Sequence, residues 1–163
     1  AFVRQHGLGY PGRALRTKDY LYIKNYEADR WPAGDPPLYG DVDPYMLNYP
    51  GPAKFFILKH KDDDAQQAFN LAFAKRPTEE LYDIANDPDQ LHNLAADSKY
   101  QKVKAELSAK MVQYLKETKD PRETGGKIIW DNTDYFSEID KTPKPSKEAI
   151  EIFGLDTMYN YLK

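Results

Sequence analysis

Arg13-Ala-Leu-Arg-Thr-Lys-Asp-Tyr-Leu-Tyr-Ile-Lys-Asn-Tyr26 is the stretch whose reading decides the fold. β-formers crowd both ends, and Thr17, Lys18 and Asp19 make the middle polar, so it reads as two strands joined by a tight turn. Pleating puts Leu21, Ile23 and Asn25 on one face of the second arm and Tyr20, Tyr22, Lys24 and Tyr26 on the other. Pro11-Gly12 marks a turn just ahead, so residues 1–10 enter as an extended segment or loop. A further strand is expected at Glu80-Leu-Tyr-Asp-Ile84, which alternates and then meets the turn residues Asn86-Asp-Pro88.

Helical periodicity is clearest downstream. Tyr100, Val103, Leu107, Met111 and Tyr114 recur at spacings of three and four behind Asp97 or Ser98, either of which can cap the helix, and Pro121 is expected to end it. Lys102, Glu106, Lys110 and Gln113 fill the opposite face. A shorter helix is expected over Ala65–Ala74, capped by Asp62, Asp63 and Asp64, with Phe69, Ala72 and Phe73 on one side and an end before Pro77. Phe55-Phe-Ile-Leu58 is too short for periodicity to distinguish strand from helix.

Between these elements, Asp29–Pro52 carries Pro32, Pro36, Pro37, Pro44, Pro50 and Pro52 with Gly34, Gly40 and Gly51, a composition that forbids regular ladders. Its length marks it as functional or mobile, and Trp31, Tyr39, Tyr45 and Tyr49 are expected to pack down over the core of the hairpin. Beyond Gly126 a tail holds a strand candidate at Ile128-Ile-Trp130 and a short helix after Ser146, separated by the stiff Thr142-Pro-Lys-Pro-Ser146. The reading is α+β: a small antiparallel β-sheet packed against a long C-terminal amphipathic helix, with a long Pro/Gly-rich loop and an extended tail. Residues 1–126 form the domain, and 127–163 an extension packing on it.

Composition bounds the chemistry. The chain has 163 residues, enough for one domain, and its thirteen Tyr, seven Phe and two Trp argue for folding despite a mean hydropathy of −0.80. With no cysteine, disulfides, thiolate zinc sites and a cysteine nucleophile are excluded. Apolar runs are too short for a membrane span, and the start lacks an export signal. Residues 1–30 carry a local charge of +3, which suits an anion but is too sparse for a nucleic-acid surface.

His6, His60 and His92 do not share metal-ligand spacing. Asp41-Val-Asp43 and Asp62-Asp-Asp64 lack the Gly and Glu that an EF-hand needs, and read as turn and N-cap. Phosphate-binding glycine motifs and the serine elbow motif are absent, so no metal site and no catalytic nucleophile is assigned.

Three stretches together carry a resemblance: Pro11-Gly-Arg-Ala-Leu-Arg-Thr-Lys-Asp-Tyr-Leu-Tyr-Ile-Lys-Asn-Tyr26, Lys75-Arg-Pro-Thr-Glu-Glu-Leu-Tyr-Asp-Ile84 and Asn86-Asp-Pro-Asp-Gln-Leu-His-Asn-Leu-Ala95. They resemble the C-terminal subdomain of sulfatases, above all the branch that includes heparan N-sulfatase and its bacterial relatives. In that branch an R-A-x-R-T hairpin arm precedes an E-L-Y-D-x-x-x-D-P strand and turn. With the helix through Tyr114 and Lys119-Asp-Pro-Arg122, the likeness covers about residues 4–122, within the usual uncertainty of element ends.

The resemblance implies a sulfuric ester or sulfamate hydrolase acting on sulfated sugars such as glycosaminoglycans. Its formylglycine, made from Cys or Ser in [CS]-x-P-x-R, and its calcium would lie in an N-terminal catalytic domain. This chain has no such motif, so it is expected to be a C-terminal piece, inactive alone and without a cofactor of its own. Its partners would be that catalytic domain and a sulfated saccharide, with neither nucleic acid nor membrane. The segment ahead of the hairpin would approach the substrate, making Arg4, His6, Tyr10 and Arg13 the candidate substrate-binding residues at the pocket rim. Arg and protonated His suit a sulfate by charge-assisted hydrogen bonding. Family members are lysosomal, periplasmic or secreted, and the composition leans bacterial, so a periplasmic or secreted location is the expectation. Two other classes fit the residues: a free-standing carbohydrate-binding module using Trp31, Tyr39 and Tyr45, or a structural interaction domain.

Overall fold

The computed structural model describes residues 10–34, 36, 39, 52–126 and 128. Strands β1 (Gly12–Arg16) and β2 (Tyr20–Asn25) form the expected hairpin. Helices α1 (Pro52–Lys59) and α2 (Gln66–Ala72) follow, then β3 (Glu79–Asp83), a 3-10 turn at Ser98–Tyr100, the long helix α3 (Gln101–Glu117) and the single turn α4 (Pro121–Thr124). The architecture is α+β, with one antiparallel sheet in the order β1-β2-β3.

Local chemistry explains the hairpin. Thr17 Oγ1 accepts from the Tyr20 N–H at 2.9 Å and the Asp19 N–H at 3.3 Å, so one hydroxyl shapes the turn. Arg13 then lies opposite Lys24, Leu15 opposite Tyr22, and across the next ladder Tyr22 opposite Leu81. Side chains of odd-numbered β1 residues therefore share a face with Tyr20, Tyr22, Lys24, Glu79 and Leu81. The outer edge of β3 is closed by chain that follows it: the Leu81 N–H donates to Asn93 Oδ1 at 2.9 Å, and the Leu94 N–H donates to the Leu81 carbonyl at 2.7 Å.

The apolar face of α3 covers this sheet face. Tyr22, Leu81, Ala95, Met111 and Leu115 are buried together, with Leu15, Tyr20, Leu94, Tyr100, Val103 and Leu107 packed around them. Asp97 caps the helical start, accepting the Lys99 N–H at 2.9 Å. One expectation fails at the far end. Tyr114 is 63% exposed, while Leu115 is 7% exposed and completes the stripe. The partly buried Val103 and Leu107 and the buried Met111 and Leu115 advance in steps of four, and the contact follows that row instead of taking the three-residue step from Met111 to Tyr114. Pro121 also plays a different part. The helix already ends at Glu117, and Lys119 turns with φ +57°. Pro121 opens α4 at a position whose missing N–H costs nothing, capped by Asp120.

The chain divides into two compact units, Ala1–Asp29 with Arg76–Asp134, and Arg30–Lys75 with Tyr135–Lys163. The second has its own buried cluster of Ala33, Tyr39, Leu58 and Phe73, against which Trp31, Ile57 and Phe69 pack. Phe55–Leu58 is thus helical. Trp31 and Tyr39 pack against α1 and α2, correcting the expectation that they cover the hairpin core: Tyr39 meets Phe69 and Phe73, each with ring centroids 5.5 Å apart. Asp62–Asp64 do not cap α2, whose N-cap is Ala65 without a side-chain bond. They form the turn before it, where Asp63 Oδ1 accepts the Asp64 N–H at 2.6 Å. Tyr45, Tyr49 and the expected elements of the tail after Ile128 lie outside the described residues.

The stripe correction is testable by thermal or urea unfolding. Leu115→Ala is expected to destabilise by about 2–5 kcal/mol through the cavity it leaves. Tyr114→Ala is expected to stay within about 0.5 kcal/mol, as exposed positions do. Equal losses would contradict the packing.

Candidate functional site

The sheet end that holds Arg13 carries a charged clasp on the same face as the core. Arg13 donates from Nε to Asp120 Oδ2 at 2.8 Å, with Nη2 at 2.6 Å from the same oxygen, and from Nη1 to the Gly12 carbonyl at 2.9 Å. Each side chain of the ion pair is only 14% exposed. Next to it in register, Lys24 Nζ and the Tyr26 hydroxyl both donate to Glu123 Oε1 at 2.5 Å. Arg122 lies over the Tyr26 ring, 5.5 Å from its centroid, and 3.9 Å from Glu27. Asp120, Arg122 and Glu123 thus bring α4 onto both arms of the hairpin.

The clasp continues inward. The Tyr22 hydroxyl donates to Glu79 Oε1 at 2.5 Å and lies 3.1 Å from Ser108 Oγ, and Lys104 Nζ is 3.3 Å from Glu79 Oε2. Burial first, and then the bond to Glu79, push the Tyr22 phenol up to about 12. Glu79 is held below its ordinary value, mainly by that hydroxyl and then by Lys104. On the opposite face, Glu80 is buried between the Asn25 amide at 2.7 Å and the Tyr82 hydroxyl at 2.6 Å, and Asn25 also donates to the Pro77 carbonyl. Burial and Glu80 together raise the Tyr82 phenol.

Of the four substrate-binding candidates, Arg4 and His6 lie outside the described residues. Tyr10 is half-buried just ahead of β1, and Arg13 is bound to Asp120 and Gly12. Sequence reasoning did not identify Asp120 as the partner of Arg13. The available signal was the pairing of two cations, Arg13 and Lys24, directly opposite each other in the hairpin, which demands nearby acids. Among the described residues, His60, Asp63 and Asp64 are the one group with metal-ligating atoms within 4.8 Å of one another. Both carboxylates are exposed, and His60 Nδ1 lies 3.1 Å from Asp63 in what is a turn. No helix among the described residues is long and apolar enough to cross a membrane.

Comparison with known proteins points one way. The chain is 29% identical over 107 residues, 66% of its length, to an ulvan-active sulfatase of Formosa agariphila, and 29% identical over 103 residues to another from the same organism. The chain thus has a region similar to part of these sulfatases, and it spans 18% and 16% of the lengths of those two relatives. A protein of Haemophilus influenzae described as uncharacterized is 38% identical over 55 residues, 34% of this chain and 28% of that protein. No protein-family profile matches.

The clasp makes stability depend on acid. Burial alone would raise Asp120, but the Arg122 N–H and then Arg13 pull harder, so its carboxyl sits below the ordinary value. Glu123 is lowered by Lys24 first and Tyr26 second. Depressed folded values mean that the clasp stabilises fully above the unfolded carboxyl range of about 3.9–4.3 and loses effect as pH falls through the folded values. Urea midpoints taken from neutral pH downward should fall below that range. Asp120→Asn should cost about 1–3 kcal/mol at neutral pH and flatten the acid limb. An unchanged acid limb would remove the clasp from the account.

Proposed function

We propose that this chain is the C-terminal part of a sulfatase, a hydrolase of sulfate esters or sulfamates on sulfated sugars, close to the heparan N-sulfatase branch and of bacterial origin. The observation that carries the reading is the likeness over 107 residues to an ulvan-active sulfatase. The hairpin motif and the Asp-Pro-Arg motif support it physically, because Arg13 of one and Asp120 of the other bond to each other. Motif residues that meet in this way act as a scaffold. In this reading the formylglycine nucleophile and the calcium would belong to the catalytic domain of the same protein, which is consistent with a chain that has no cysteine and no Ser-x-Pro-x-Arg.

In this reading the β1–β2–β3 sheet with α3 is a rigid base, and the segment entering it lies at the rim of the substrate pocket. Arg4 and His6 offer charge-assisted donors to a sulfated saccharide, and Tyr10 a phenol. Arg13, bound to Asp120, holds the entry of the segment into β1. The parent would act in the periplasm or outside the cell, where sulfated polysaccharide is found. A free-standing sugar-binding module draws no support from Tyr39, which is 4% exposed and whose ring packs against Phe69 and Phe73.

The coding sequence adjoining this chain should contain [CS]-x-P-x-R. The isolated chain should release no chromophore from an aryl sulfate, and the full-length protein should do so. In the full-length enzyme, Arg4→Ala and His6→Ala are expected to raise KM for a sulfated oligosaccharide about tenfold with kcat little changed, the pattern of lost uniform binding. Turnover by the isolated chain, or KM unmoved in both variants, would contradict the proposal.

A further inference from the structure

The two outer edges of the sheet are β1 and β3, and they differ. In the hairpin, the Thr17 N–H donates to the Tyr20 carbonyl at 2.8 Å and the Tyr26 N–H to the Pro11 carbonyl at 3.1 Å. Hydrogen-bonded pairs alternate along an antiparallel ladder, so Arg13 and Leu15 turn their backbone groups toward β2, whereas Gly12, Ala14 and Arg16 turn theirs away from it. On β3 the outward groups of Leu81 are both met, its N–H by Asn93 and its carbonyl by Leu94. On β1 the Gly12 carbonyl accepts from the Arg13 side chain, but among the described residues nothing meets the N–H or the carbonyl of Ala14 or Arg16.

Both of those residues are exposed. The register from Gly12 to Arg16 is unbroken, so neither a proline nor a bulge blunts this edge. What the edge does carry is charge. Arg13 is held by Asp120 on the face that α3 covers, while Arg16 projects from the opposite face and makes no ion pair among the described residues. An added strand would gain affinity from main-chain bonds to Ala14 and Arg16 and specificity from the side chain it sets beside Arg16.

We propose that β1 takes up a further strand: an extended acidic segment from the rest of the parent sulfatase, with an Asp or Glu beside Arg16. The inference rests on the function proposed above, since a chain spanning 18% and 16% of its sulfatase relatives leaves most of the parent outside it in that reading. A second copy of this chain is a poorer occupant. Its own edge, Gly-Arg-Ala-Leu-Arg, has no acid and would bring cations to a cation.

Amide exchange on the 163-residue chain and on the full-length protein tests it. In the former, Arg13 and Leu15 should be protected while Ala14 and Arg16 exchange near the rates of an open peptide. In the full-length protein Ala14 and Arg16 should slow about a hundredfold or more. There, Arg16→Glu should lower the protection of Ala14 about fivefold or more, and Arg16→Lys should keep it. Equally fast exchange of Ala14 and Arg16 in both proteins would overturn the proposal, and so would protection unmoved by Arg16→Glu. Protection already present in the 163-residue chain would also overturn it, whether constant, which closes the edge from within, or rising with concentration, which makes the occupant a second copy. Sulfatase turnover by a full-length protein whose Ala14 and Arg16 amides stay open would overturn this inference alone. Slowed amides in a full-length protein without turnover would support it and count against the proposed function.

Discussion

Burying the phenol of Tyr22 is the constraint from which the rest follows. The residue is in the central strand and has no exposed surface, so its ring needs apolar walls and its hydroxyl needs partners inside the protein. Leu81, Met111 and Leu115 supply the walls, which requires α3 to lie across the sheet. Glu79 and Ser108 supply the partners, and Glu79 in turn needs Lys104. A single buried side chain thereby fixes the register of β3 against β2 and the rotation of α3 about its axis.

The charged clasp extends the same logic to the sheet end. Two cations facing each other across the hairpin repel unless acids stand over them, and α4 places Asp120 and Glu123 there. The sharp exit from α3, with Lys119 in the left-handed region and Asp120 capping Pro121, puts those acids above the hairpin without lengthening the helix. Backbone punctuation and electrostatics therefore solve one problem together. The clasp so formed ties the start of β1 to α4.

Much of this was legible in the amino-acid pattern because it is local. The Thr17–Asp19 turn, the alternation of Glu80–Ile84 and the Asp97 cap each depend on residues within a few positions of one another. Misreadings arose where long-range contact chose between local options. Tyr114 and Leu115 both fit an α3 stripe, and only the sheet beneath selects Leu115. Three consecutive acids look like a helix cap, but the chain uses Asp62–Asp64 to turn between α1 and α2. Trp31 and Tyr39 announced a covered surface without saying which one.

By itself the sequence determined the α+β class, the hairpin, the capped helix and the absence of thiol chemistry, since these follow from backbone preference, periodicity and composition. Tertiary structure alone decided that Arg13 belongs to Asp120, that Tyr22 belongs to Glu79, and that the Asn25 N–H meets the Thr78 carbonyl. Those pairs lie far apart along the chain. No local preference encodes them: the two side-chain pairs form where burial on one sheet face leaves each polar group few places to find a partner, and the Asn25–Thr78 bond continues the β2–β3 ladder.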